Sequence, residues 1–189
     1  MFKNETNKLF DRAKELEAIK YGKFTLSSGK KSSDYFDGRV VSMDPYSVNL
    51  ITQIFIKKII EYKADAFGGP SVAAVPIVGA LTLKCYFEKI DLYGFFVRTE
   101  AKKYGTNRKI EGLVKPGMKV AIFDDTLSTG SSLLKSIEAV EEIDCEVVLA
   151  LTILDRQQGA LEKLNKKKIP LFKILEASET GNISLVQKI

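Results

Sequence analysis

Residues 120–134 read VAIFDDTLSTGSSLL, and the order of residue types in this stretch decides the fold. Val120, Ala121, Ile122 and Phe123 form a continuous apolar run of the length of a buried strand, and the pattern beyond it predicts a helix over about 129–142. A strand passing through a short loop into a helix is the repeating piece of an α/β fold. Two adjacent carboxylates, Asp124 and Asp125, stand at the carboxyl end of the strand, where open α/β sheets place their ligands. The loop that follows, TLSTGSS, sets hydroxyls around one glycine and enters the helix, so successive amides and the positive end of the helix dipole suit a phosphate. The lysine of the GxxxxGK[ST] pattern is absent, which speaks against a P-loop NTPase. Carboxylates accept hydrogen bonds from vicinal hydroxyls, so a ribose 5-phosphate spans the feature, phosphate on the loop and hydroxyls on the aspartates. A lone Asp at such a place commonly caps a helix; a pair at a βα crossover is a less common way to do so.

Outward from this stretch the same alternation continues. Toward the N-terminus, Leu9, Ala13, Leu16 and Ile19 have helical spacing and predict an amphipathic helix over 8–19. Residues 24–39, FTLSSGKKSSDYFDGR, lose that period and read as strand, turn, strand. Asp44-Pro45 starts a helix that carries Val48, Ile51, Phe55, Ile59 and Tyr62 on one face. Residues 64–67 form a short strand meeting Gly68-Gly69-Pro70, followed by a helix ending near Glu88 and a strand over 92–97. After the central stretch come a strand over 146–154, the segment DRQQG, a helix to about Lys167 and a strand over 171–175. Strands alternating with helices of this length predict a parallel sheet covered on both faces. No repeat, low-complexity tract or linker divides the chain, so residues 1–189 are read as one domain.

Composition excludes several chemistries. The chain has 189 residues and no histidine, which removes Ser-His-Asp and Cys-His mechanisms and imidazole metal ligation. Lys and Arg number 29 against 24 Asp and Glu, a net +5 with pI near 9.0, so an anionic partner is expected. Cys85 and Cys145 lack neighbours at metal-binding spacing and read as buried, reduced thiols. The N-terminal segment is charged throughout, and the longest apolar stretch, residues 73–83, is too short to span a bilayer. A cytoplasmic protein without a membrane partner is expected. Residues 98–109 hold Arg98, Lys102, Lys103, Arg108 and Lys109 against Glu100, a local +4 around Gly105. Such a run is either a solvated surface loop or a segment ordered by an anion.

The residues 120–134 resemble the phosphoribosyl pyrophosphate (PRPP) signature of the type I phosphoribosyltransferases, and other segments narrow the resemblance. FTLSSGKKSSDYFDGR is similar to the N-terminal segment of orotate phosphoribosyltransferases, GGPSVAAVPIVGA to their pyrophosphate-side loop, and VRTEAKKYGTNRKIEG to their mobile catalytic loop. LTILDRQQGALEKL resembles the Asp-Arg segment after the next strand, and the match spans about residues 5–165 in the same order. The resemblance implies the type I fold, a central parallel sheet flanked by helices with a small N-terminal hood from about residues 1–40. It implies Mg²⁺-dependent transfer of ribose 5-phosphate from PRPP to orotate, in pyrimidine synthesis.

Carried onto this chain, the resemblance gives Asp124, Asp125 and Lys102 catalytic roles. PRPP falls to Arg98, Lys102, Lys103 and Tyr104, to Ser71, Val72 and Ala73, to the two aspartates, and to Thr126, Leu127, Ser128, Thr129, Gly130, Ser131 and Ser132. Orotate falls to Ser128, Arg156, Tyr35 and Phe36. A guanidinium fork meets a carboxylate or a coplanar carbonyl edge with two hydrogen bonds. The alternatives are an Arg156 at the surface paired with Asp155, and Tyr35 and Phe36 as core aromatics. Mg²⁺ is expected on substrate and water, with no protein metal ligands, and the loop 98–109 is expected to act in the neighbouring subunit's site, which implies a homodimer. The chain departs from many members at Thr99, where they carry Lys, at Tyr104, where they carry His, and at Ala73 and Ser27, where some carry a basic residue. Rival readings are a purine phosphoribosyltransferase and a PRPP-sensing regulator; no helix-turn-helix and no basic surface with stacking aromatics supports nucleic-acid binding.

Overall fold

The structure is a computed structural model that describes residues 2–25, 31–99 and 109–186. Apolar residues recurring with periods near 3.6 and 2 set out its elements in the expected alternation. They are α1 (Lys3–Glu15), β1 (Ile19–Thr25), β2 (Lys31–Phe36), α2 (Gly38–Met43), α3 (Pro45–Glu61), β3 (Ala66–Pro70), α4 (Val75–Glu88) and β4 (Tyr93–Val97). The chain continues through β5 (Ile110–Gly112), β6 (Lys119–Leu127), α5 (Ser131–Glu141), β7 (Glu146–Asp155), α6 (Ala160–Lys166), β8 (Leu171–Ala177) and β9 (Ile183–Leu185).

Seven strands form the main sheet in the order β5-β4-β3-β6-β7-β8-β9, parallel throughout its middle and antiparallel at both edges. Its side chains alternate between two cores. Phe67, Ala121, Phe123 and Leu151 pack with Ile51, Phe55, Ile59, Ile77 and Leu81 of α3 and α4. Phe95, Val120, Ile122 and Ala150 pack on the other face with Leu133, Ile137, Val140 and Leu164 of α5 and α6. Helices therefore cover both faces, as the alternation requires. Both cysteines are buried and free, and burial raises both thiols above their ordinary pKa. No helix of the described residues is long and apolar enough to cross a membrane.

Several boundaries differ from the sequence reading, each for a local reason. The first helix covers Lys3–Glu15 and not 8–19: Glu17 turns into the left-handed region, φ 52°, and the Ala18 and Glu17 amides donate to the Ala13 and Lys14 carbonyls. This is a Schellman stop made without the glycine that would announce it, and it sends Ile19 into β1. The short helix α2 escaped the periodicity altogether; Asp37 caps it, accepting from the Arg39 and Val40 amides at 3.1 and 3.4 Å. Strands β5 and β9, three residues each, were likewise too short to register. Gly68, Gly69 and Pro70 lie inside fully buried β3 and do not interrupt it.

The antiparallel pair β1–β2 stands apart from the main sheet. It is held against the β8–β9 turn by the Ser33 amide on the Thr180 carbonyl (3.1 Å), the Ser33 hydroxyl on Asn182 Oδ1 (2.8 Å) and the Ile183 amide on buried Asp34 Oδ2 (2.9 Å).

Candidate active site

Strand β6 runs four residues beyond the apolar Val120–Phe123 run and so contains both carboxylates. Alternation along the strand gives Asp124 the face of Ile122 and α5, and Asp125 the face of Phe123 and α2. The pair is not two copies of one group. Asp124 is 7% exposed, and its Oδ1 accepts from the Asp125 amide at 2.9 Å. Burial, and then the neighbouring charge of Asp125, push its pKa up to about 7. Asp125 is also raised by burial, though the Thr126 amide and the Arg39 charge draw it back. The backbone of α2 closes on this carboxylate: a Cβ at Gly38 would sit 2.6 Å from Asp125 Oδ2. Gly38 and Arg39 close the segment FTLSSGKKSSDYFDGR but received no role from the sequence, because only α2, folded onto the end of β6, brings them to Asp125. Thr152 on β7 supports the strand from beneath, its hydroxyl donating to the carbonyls of Asp125 and Leu154.

Beyond Leu127 the chain leaves the sheet, and Gly130 takes a left-handed conformation, φ 74°, at the N-cap of α5 without a side-chain cap. The Leu134 amide closes the first turn on the Gly130 carbonyl. Among the described residues, the five amides of residues 128–132 donate to no backbone carbonyl, which leaves a row of free donors at a helix N-terminus. Hydroxyls flank them, with Thr129 Oγ1 and Ser131 Oγ 3.0 Å apart. Lys163 Nζ braces the loop from α6 at 2.7 Å from the Thr129 carbonyl.

At the carboxyl end of β3, residues 71–74 make a turn. Of Ser71, Val72 and Ala73, assigned to PRPP, the first does not offer its amide to an anion, because that amide donates to the Val97 carbonyl at 2.8 Å; those of Val72 and Ala73 have no backbone acceptor among the described residues. A cavity of about 370 Å³ brings Ser71, Arg98 and Ser132 together, with Thr99, Lys109 and Lys135 also on its wall. Sequence reading missed Lys135 because it lies on an ordinary helix turn. A larger cavity, about 470 Å³, lies further along α5 against β5 and contains none of the predicted site residues, meeting the loop 98–109 only at its last residue, Lys109. Strands β4 and β5, on either side of the loop 98–109, pair antiparallel, and the Arg98 amide donates to the Lys109 carbonyl at 2.8 Å where the loop begins and ends. Lys102, Lys103, Tyr104 and Ser27 lie outside the described residues.

Arg156 follows the last residue of β7, and its amide donates to the Leu127 carbonyl at 2.8 Å, fastening it to the cradle strand. It is not a surface residue paired with Asp155. Asp155 is engaged by Lys173 at 2.8 Å and by the Gln157 amide at 2.8 Å, and Arg156 itself is 7% exposed. Burial lowers its pKa, and Tyr35 and Asp34 across the β2 interface oppose that shift. The two aromatics of β2 part company: Phe36 enters the core, whereas Tyr35 stays exposed with its ring 5.7 Å from that of Phe24. Ser128 opens the loop immediately after β6.

An acidic strand end ahead of a row of free amides, on a sheet of this order, defines a phosphoribosyltransferase, and the phosphoribosyl transferase domain family matches residues 45–180. An orotate phosphoribosyltransferase of Aquifex aeolicus is 37% identical over 156 residues, covering 82% of this chain and 85% of that protein. The solved orotate phosphoribosyltransferase of Mycobacterium tuberculosis superposes with a TM-score of 0.77 at 27% identity, over 94% of this chain and 99% of that one. Its complex with PRPP gives 0.74 at 25% identity, over 91% and 96%. The chain belongs to the orotate phosphoribosyltransferase family.

Proposed function

We propose that this chain transfers ribose 5-phosphate from PRPP to N1 of orotate, giving orotidine 5′-monophosphate and pyrophosphate in pyrimidine biosynthesis. The observation that carries the reading is the carboxylate pair of buried Asp124 and half-buried Asp125, directly ahead of the free amides of residues 128–132. The 5′-phosphate lies on those amides and the ribose hydroxyls on the carboxylates. As the anomeric C–O bond breaks, its electron pair leaves with pyrophosphate and the N1 lone pair forms the new bond. Asp124 and Asp125 favour the positive charge that develops on the ribose. Arg98, Lys102, Lys103 and Tyr104, with the Val72 and Ala73 amides and the Ser71 hydroxyl, hold the leaving pyrophosphate. Arg156 and Ser128 take orotate, with Tyr35 beside the ring and Phe36 behind it as part of the wall. Closure of the loop 98–109 excludes water that would hydrolyse PRPP.

Among the described residues no three acidic or cysteine side chains converge on one point. The carboxylate pair suits a magnesium ion carried mainly by pyrophosphate, ribose oxygens and water, and no protein residue is assigned as its ligand. When bound, Mg²⁺ offsets charge on the leaving group. The reading includes a homodimer in which each loop serves the neighbouring site, one domain over residues 1–189 with a hood from about 1–40, and a cytoplasmic location fitting two water-soluble anionic substrates. The test mixes protein, Mg²⁺, PRPP and orotate and follows the loss of orotate absorbance. Turnover that requires all four components is expected; turnover with a purine base and none with orotate overturns the reading.

A further inference from the structure

We propose that Gln158 sets specificity for the pyrimidine, its side-chain oxygen accepting a hydrogen bond from the ring N3–H while Arg156 donates to the adjacent carbonyl. The inference rests on the orotate reading above and names a residue that reading did not use. A cavity of about 330 Å³ opens between β2, the turn after β7 and the β8–β9 turn, with Ser32, Arg156, Gln158 and Ala177 on its wall and Lys31 and Glu179, opposite in charge, at its exposed rim. Two features of that wall ask for a ligand. The Arg156 guanidinium is buried yet forms no ion pair among the described residues, because the carboxylate next to it in sequence is held by Lys173. Half-buried Gln158 lines the cavity, and its Oε1 is shut off from solvent with no hydrogen-bond partner; a carbonyl oxygen so placed is a standing cost, which a turn of the side-chain amide toward a ligand N–H in the cavity removes.

Donor and acceptor two residues apart in one turn complement an imide edge, where carbonyl, N–H and carbonyl alternate. Orotate presents that edge at C2, N3 and C4. Gripping N3–H and the C4 carbonyl leaves N1, across the ring from C4, free to meet the anomeric carbon. The neighbouring Gln157 is differently occupied, its Nε2 donating to the Ala177 carbonyl at 2.9 Å, which braces the cavity wall and leaves the reading of the ring to Gln158.

The test compares orotate with 3-methylorotate, which keeps the ring and carboxylate and lacks the N3 proton. Wild-type protein is expected to prefer orotate by at least about tenfold in kcat/KM, as sites built around a hydrogen bond do. Gln158→Leu raises the orotate KM about tenfold, leaves the PRPP KM in place and shrinks the preference toward unity, whereas Gln158→Glu, which retains an acceptor, keeps the preference. Equal use of the two compounds by wild-type protein overturns the proposal without recourse to any variant, and so does an unchanged preference in folded Gln158→Leu. Absence of orotate turnover in wild-type protein overturns instead the reading on which the proposal rests.

Discussion

Asp124 and Asp125 are adjacent in sequence and equal in charge, yet the strand turns them to opposite faces and gives them different neighbours. Asp124, pushed up to about 7, keeps its proton in the folded protein well above the ordinary 3.8. The folded state then binds more protons than the unfolded chain between those values, so its stability declines as pH rises from about 4 to about 7. On the proposed function the substrate hydroxyls need the carboxylate as acceptor, so PRPP use runs the other way. Accordingly, kcat/KM for PRPP is expected to rise with pH through an apparent pKa near 7, while thermal melting of the free protein falls over the same range. Asp124→Asn is expected to lose both trends; melting curves and pH–rate profiles of the two proteins check this.

Among the elements, α3 shows how one cap can order a neighbourhood. Asp44 accepts from the Ser47 amide and hydroxyl at 2.9 and 2.8 Å, and Pro45 follows at the first helical position. The same carboxylate takes two hydrogen bonds from Arg12 of α1, at 2.9 and 3.2 Å, which hold its pKa far below the usual range. A depressed carboxylate contributes stability above its ordinary pKa of 3.8 that is lost as pH falls below it. Asp44→Ala is therefore expected to cost about 1 kcal/mol from the cap alone near neutral pH. The deficit relative to wild type should narrow in denaturation curves recorded below about pH 4. Asp44-Pro45 announced this helix in the sequence, but Arg12 as a partner, 32 residues away, did not appear until α1 and α3 were packed together.

For the whole molecule, the loop 98–109 is the point of test. If it serves the neighbouring site, Lys102→Ala and Asp125→Asn damage different halves of each active site, and a mixed dimer holds one site with both defects and one with neither. Each variant alone is expected to be nearly inactive, and mixing with random subunit exchange to restore about a quarter of wild-type activity. A mixture as inactive as its components means that each loop serves its own subunit; sedimentation of the mixture establishes that exchange has occurred.

The sequence by itself determined the alternation of strand and helix, the place of the acidic pair, the loop of hydroxyls around one glycine after it and the lack of any role for histidine. These are local: a strand's period, a turn's residues and the amides of a helix N-terminus are set by neighbours in the chain. Only the tertiary structure decided that the two aspartates are inequivalent, that Lys173 occupies Asp155, and that the Ser71 amide is already engaged. It also brought Gly38 onto Asp125 and left Gln158 Oε1 unpaired beside Arg156. Burial and pairing across a sheet depend on segments distant in sequence, and no periodicity within one segment encodes which of them will meet.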